Sequence, residues 1–313
     1  MQTTEKSWTG ALVLAFSTLT NMRSRPLSPD PETVGKSLFF YPLAGIYIAF
    51  SAALFPVLTA LYLDVLQAFV VFTGCVYVFL LAWLSHFSGY RALCRFSDAA
   101  ALGRHAAEEE DLRSALHRDT PGAAGVAACA LLAASKVLIV YLLFTRLALF
   151  GRVTLLAFIL VLAPFAARIL MLAACCLKPA PADGPSSCAG KGKAPYVFLL
   201  VALVCAAALV FLGLMHGFGE FISLKSSVRT EAQLGKIMTL WRQQNGIFIV
   251  LAVKGIRDVG ILLAGGFLTL MYAAGESKAL FRGMTEEIIR AVPEIGETAF
   301  LAAGLLIADY MLF

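Results

Sequence analysis

The chain has 313 residues, of which 60% are hydrophobic and 14% charged, and its mean hydropathy is +0.82. Soluble domains run about 45–50% apolar and roughly 25% charged, so a water-soluble globular protein is excluded. The formal net charge is +5 and no dense basic run breaks the apolar segments, so no nucleic-acid partner is suggested.

In chain order, the first apolar stretch, Gly10 to Leu19, runs into Thr20, Asn21, Met22 and Arg23 rather than into a small-residue cleavage site. It predicts a half-length helix near 10–20 and an uncleaved chain that starts near Met1. Spans follow near 38–63, 66–84, 122–145, 153–177, 195–215, 247–273 and 296–313. These runs lack the alternation of a barrel strand, and a continuous apolar run in lipid must be helical to satisfy its backbone. The prediction is an all-α polytopic membrane protein of about seven or eight transmembrane helices. It forms a single membrane domain over 1–313, with hydrophilic loops near 85–121, 178–194 and 274–295. Pro179, Pro181 and Pro185 make the second of these a flexible loop. The long, mixed-charge segment 216–246 is read as an interfacial helix or a re-entrant piece. No internal repeat supports a transporter.

With the N-terminus inside, the inner segments carry fifteen Lys and Arg and the outer segments six. The expected location is therefore the inner (plasma) membrane, multi-pass, with the N-terminus and the three loops cytoplasmic.

The polar residues that hydropathy should have excluded carry the functional signal. Lys136, Arg168, Lys254 and Arg257 fall inside predicted spans, where a charge costs at least about 2.5–3.5 kcal/mol. Arg168 is a candidate phosphate ligand, since a guanidinium holds two phosphate oxygens in parallel; snorkelling or a structural ion pair is the alternative. Lys136 is read as a structural pair, and Lys254 and Asp258 are spaced i, i+4 for pairing on one helix face. Acids gather in two of the loops: Asp98, Glu108 to Asp111 and Asp119 in the first, Glu276, Glu286, Glu287 and Glu294 in the last. Such carboxylates can hold Mg²⁺, which takes oxygen ligands and bridges to phosphates. The Glu108 to Asp111 run reads instead as a solvated helix face. Asp119 precedes Thr120, Pro121, Gly122 and Gly125 at the mouth of a span; it either caps that helix or joins a site where exposed N–H groups invite an anion. The seven Cys lie mostly in apolar runs and read as inert buried thiols.

Five pieces in order resemble one family, the cobalamin synthases (adenosylcobinamide-GDP ribazoletransferases). Phe39 to Gly45 is similar to an F-P-L-x-G signature, and Trp83 to Gly89 falls where the family has a His-Leu-Asp-Gly stretch. Arg118 to Gly125, followed by the helix carrying Lys136, resembles an R-D-S/P-x-x-G-x-x-G element. Ala166-Ala167-Arg168 matches a Ser/Ala-Arg position, and Arg282 to Glu294 resembles a terminal G-G-x-T-G-D…E element.

The resemblance implies an integral membrane transferase that joins adenosylcobinamide-GDP to α-ribazole or its 5′-phosphate, with release of GMP and with Mg²⁺. It assigns His86, Asp119 and Arg168 as catalytic, Gly122, Gly125 and Arg282 as substrate- or cofactor-binding, and Asp98, Asp119, Glu287 and Glu294 as metal ligands. The expected partners are those two substrates and membrane lipid, and an oligomer is compatible with the sequence. The chain departs from the acidic pattern H-x-D-G-x-x-D-x-x-D-G, keeping His86 and Gly89 but placing Ser88, Ala92 and Arg95 at the three Asp positions. The alternative expectation is accordingly an inactive relative that binds a corrinoid or lipid as a membrane subunit.

Overall fold

A chain in hydrocarbon has no water to satisfy its backbone, so the apolar runs close their hydrogen bonds internally as helices. A computed structural model describes residues 8–20, 31–62, 67–103, 109–118, 120–147, 152–180, 193–226 and 245–312. The helices are α1 (Trp8–Leu19), α2 (Pro31–Ser37), a 3-10 turn (Leu38–Phe40), α3 (Tyr41–Tyr62), α4 (Gln67–Leu84), α5 (Ser88–Gly103) and α6 (Glu109–His117). They continue as α7 (Ala123–Leu147), α8 (Val153–Cys175), α9 (Ala194–Ser226), α10 (Asn245–Phe281) and α11 (Glu286–Leu312). Among the described residues, 6 helices are long and apolar enough to cross a membrane, or up to 7 if the bent pair α4 and α5 is one span. The chain is an all-α, multi-pass membrane protein. Asp119, most of the loop expected at 178–194 and the stretch 227–244 lie outside the described residues.

The centre of the bundle is α8. It is apolar on every side and buries Leu155, Leu156, Leu160, Ala167 and Leu172, the mark of a helix enclosed by others. It packs against α3 and α11, while α9 and α10 pair with each other and lean on α8 and α11. The outer helices turn Phe50, Phe72, Phe79, Leu138, Phe198 and Phe267 outward, where lipid tails are as good a solvent as a protein core. Close helix contact at the centre depends on Gly304 of α11, because a Cβ there would run into the Ile159 side chain of α8.

Pro164 lies within α8. Having no N–H, it leaves the carbonyl of Leu160 without its helical donor, and the buried hydroxyl of Tyr77 from α4 donates to that oxygen at 2.8 Å. A backbone defect in one helix thereby becomes a bond to the next.

Two expected loops are largely helical. Residues 88–103 and 109–117 form α5 and α6. The α5 helix buries Ala92, Leu93, Phe96 and Ala99 on one side and carries Arg91, Arg95 and Asp98 as well, which lowers its hydropathy below that of a span. The chain enters it through an 88° bend made by two residues in left-handed conformation, His86 (φ 58°) and Phe87 (φ 54°). The last span begins at Glu286 rather than at 296; its first turns hold the carboxylates that depress hydropathy. The C-terminal ends of α4, α8 and α10 and the N-terminal ends of α3, α7 and α11 meet on one face, hereafter the site face. A parallel bridge between Pro179 and Met284 ties the α8 exit to the turn before α11. On the opposite face Arg146 of α7 pairs with Asp309 of α11. There too Arg257 lies 4.4 Å over the Tyr310 ring and donates to the buried Asp258.

Tyr77→Phe should lower the stability of the detergent-purified protein by about 1–3 kcal/mol, the cost of an unsatisfied buried acceptor. Pro164→Ala restores the missing N–H, so in the Tyr77→Phe background it should recover much of the lost thermal midpoint. A double mutant no more stable than Tyr77→Phe alone would show that the bond has no such role.

Candidate active site

The site is built around a lysine in the membrane interior. Lys136 of α7 is fully buried, and its Nζ donates to Glu294 Oε2 at 2.6 Å and Glu297 Oε2 at 2.7 Å. Those two glutamates are three residues apart on α11, so they share one helix face. The Tyr90 ring of α5 sits 5.2 Å from the same ammonium. Arg168 of α8, only 3% exposed, reaches Glu297 Oε1 at 3.5 Å through one terminal nitrogen. Four helices therefore contribute to one buried polar cluster. Breaking such a pair by removing one partner typically costs about 3–5 kcal/mol, since the other charge is left stranded.

Beside the cluster, on the site face, is a cavity of about 380 Å³. Its walls come from α1, α2, α3, α5, α8 and α11. Polar groups are supplied by Thr18, Ser37, Tyr41, Ser85, Ser88, Arg168, Glu286, Arg290 and Glu294, and apolar surface by Leu14, Leu38, Met171, Ile289 and Pro293. The Nε of Arg168 has no hydrogen-bond partner; neither has Tyr90 Oη nor Glu297 Oε1, and among the described residues these are the buried side-chain atoms so placed. All three belong to the cluster at this cavity. A buried guanidinium nitrogen without an acceptor is a donor that the chain itself leaves unsatisfied.

Two glycines make room for these charges. A Cβ on Gly45 of α3 would stand 2.9 Å from Arg168 Cγ, and one on Gly89 of α5 would stand 2.5 Å from Glu294 Oε1. Each glycine belongs to a sequence piece singled out by its resemblance, and each is small because a charged side chain passes over it.

The N-terminus of α7 is occupied from within the chain. Asp98 of α5 accepts the N–H of Gly122 at 2.6 Å and of Gly125 at 2.7 Å, which satisfies two of the helix's free donors and sets a carboxylate against its positive end. A Cβ at Gly122 would meet Asp98 Oδ1 at 2.6 Å. At Gly125 it would meet the Cys94 carbonyl at 2.5 Å. The anion-accepting helix end that the sequence pointed to therefore holds Asp98.

The other predicted residues are dispersed. Glu287 accepts from Arg95 at 2.8 Å and Glu294 from Lys136, so the described members of the expected metal set each face a different partner. Among the described residues no three His, Cys, Asp or Glu side chains come together as a metal group. His86 is exposed at the α4–α5 bend and off the cavity wall. Arg282 is exposed in the turn before α11, in left-handed conformation (φ 62°). Glu297 and Tyr90 carry no mark in the sequence reading, and Arg290 stands out only as a bulky residue where the resembling family has a small one. A usable signal existed for Glu297: an intramembrane lysine requires counter-charges, and glutamates at i, i+3 on an apolar helix supply a pair.

The family model for cobalamin-5-phosphate synthase matches residues 11–305, and this range takes in most of α1, all of α2 to α10 and most of α11. No curated protein matches the chain, and no solved structure does. The matched range holds the Lys136 cluster, the Arg168 cavity and the Asp98-capped helix alike, and the chain belongs to the cobalamin-5-phosphate synthase family, transferases of cobalamin biosynthesis.

Proposed function

We propose that this chain joins adenosylcobinamide-GDP to α-ribazole or its 5′-phosphate and releases GMP. The observation that carries this reading is Arg168, buried beside the cavity with its Nε unpartnered. A hydroxyl of the ribazole ribose attacks the phosphorus on the corrinoid side of the diphosphate. The new O–P bond forms as the P–O bond to GMP breaks, and GMP leaves with the bridging oxygen and its electron pair.

Such a displacement needs alignment and charge stabilisation more than covalent help from the protein. Arg168 supplies fixed positive charge where negative charge builds up. The cavity carboxylates, Glu286 and Glu294, are the groups that can accept the hydroxyl proton. The hydroxyls of Tyr41, Ser85 and Ser88 offer neutral hydrogen bonds to the same substrate. The apolar part of the wall suits an amphiphile, and on the positive-inside argument the site face is cytoplasmic.

Expressed in a cobalamin-synthase deletion strain fed cobinamide and the lower base, the chain should restore cobalamin-dependent growth. Purified in detergent, it should release GMP from adenosylcobinamide-GDP and ribazole phosphate. A well-inserted protein that does neither, yet still binds a corrinoid, would replace the transferase reading with that of a binding subunit. Arg168→Ala should lower turnover by about 10²–10³-fold, the usual cost of losing one preorganised charge donor. Arg168→Lys should recover only part of it, because an ammonium lacks the two-pronged geometry.

A further inference from the structure

The carboxylates around the cavity already have cations, and the cations belong to the chain. Arg95 of α5 lies 2.8 Å from Glu287, Lys136 is shared by Glu294 and Glu297, and Arg290 pairs with Glu286 one helical turn away on α11. With Arg168, four basic side chains face four glutamates, and their formal charges balance. A divalent ion at Glu287 would have to displace a guanidinium and leave it without its carboxylate beside α11; at Glu294 it would take one of two carboxylates from an ammonium with no exposure to water, leaving Glu297 alone to balance it. Both exchanges are unfavourable in a poorly solvated interior. The cavity wall itself carries two guanidiniums, Arg168 and Arg290, and a guanidinium matches phosphate oxygens in shape as well as charge.

We propose that the cavity takes a diphosphate ester on Arg168 and Arg290 without a divalent cation, the chain's own Arg95 and Lys136 standing where a metal would otherwise neutralise the α11 carboxylates. The proposal rests on the assignment of the cavity as the diphosphate site. It departs from the magnesium that the family resemblance implies. Arg290 is here a specificity residue: it leaves Glu286 for the substrate, so binding exchanges one ion pair for another and keeps the wall neutralised.

The test uses the full chain in detergent, with two probes applied separately. Mn²⁺, followed by the loss of its free paramagnetic signal, reports a divalent site; inorganic pyrophosphate, followed by calorimetry, reports the anion site. The natural chain should bind no Mn²⁺ stoichiometrically. Its pyrophosphate affinity in EDTA should lie within about twofold of that in excess Mg²⁺, while Arg290→Ala should weaken it at least about tenfold, as loss of a charge-assisted contact does. Arg95→Asp frees Glu287 and sets a second carboxylate opposite it, so this variant should acquire Mn²⁺ binding. Should Arg95→Asp misfold, the Arg290→Ala and EDTA comparisons still decide the matter.

Stoichiometric Mn²⁺ on the natural chain, or pyrophosphate binding that disappears in EDTA or is absent in both media, overturns the proposal. GMP release confined to Mg²⁺-containing buffer also overturns it and leaves the transferase reading standing. Pyrophosphate bound in EDTA without any GMP release strikes the transferase reading and leaves the metal-free site in place.

Discussion

The structure depends on one ammonium group. Lys136 stands fully buried in the bundle and is tolerable there only because Glu294 and Glu297 close on it at 2.6 and 2.7 Å. That requirement fixes how far α11 slides along α7, since a displacement of one turn would separate lysine from carboxylates and strand three charges. Once α11 is set, its Glu287 reaches Arg95 on α5 and its Glu297 faces Arg168 on α8. The register of four helices thus follows from a single ion cluster, and apolar packing, which is nearly neutral between helices in lipid, fills in around it.

The glycines belong to the same constraint. Gly45 admits Arg168, Gly89 admits Glu294, and Gly122 with Gly125 admits Asp98. In each case a charged side chain is pressed against the backbone of a neighbouring helix, where only a residue without a Cβ leaves space. The short motifs that mark this family in the chain are therefore the seats on which its charges rest, as much as places where a substrate is touched. This explains why His86, inside one of those motifs, is off the cavity wall while its neighbour Gly89 is essential to the geometry: the His86 and Phe87 pair turns the chain, and the glycine three residues later receives Glu294.

Hydropathy alone made the fold class legible, because length and apolarity are what a bilayer demands of a helix. It misplaces structure where helices carry charge on one side: it reads α5 as loop because Arg91, Arg95 and Asp98 outweigh its four buried apolar residues, and it starts α11 ten residues late because the opening turns hold Glu286, Glu287 and Glu294. Within the site, Arg168 was legible as an unpaid charge in a span. The fate of the acids was not, since a carboxylate reads the same in sequence whether it awaits a metal, caps a helix as Asp98 does, or answers a buried lysine as Glu294 does. Only the positions of the cations on other helices decide among these, and that is long-range information.

The Arg95 position joins the sequence and structural arguments. In the resembling pattern it falls at an aspartate, and two carboxylates facing each other across α5 and α11 would need an external cation between them. With arginine there the positive charge is covalently part of α5, so the α5–α11 contact closes by itself at 2.8 Å. A fixed guanidinium neutralises α11 at all times, whereas an exchangeable ion does so only when bound. The two guanidiniums that line the cavity, Arg168 and Arg290, face Glu297 and Glu286, so the chain balances its own charges on this wall.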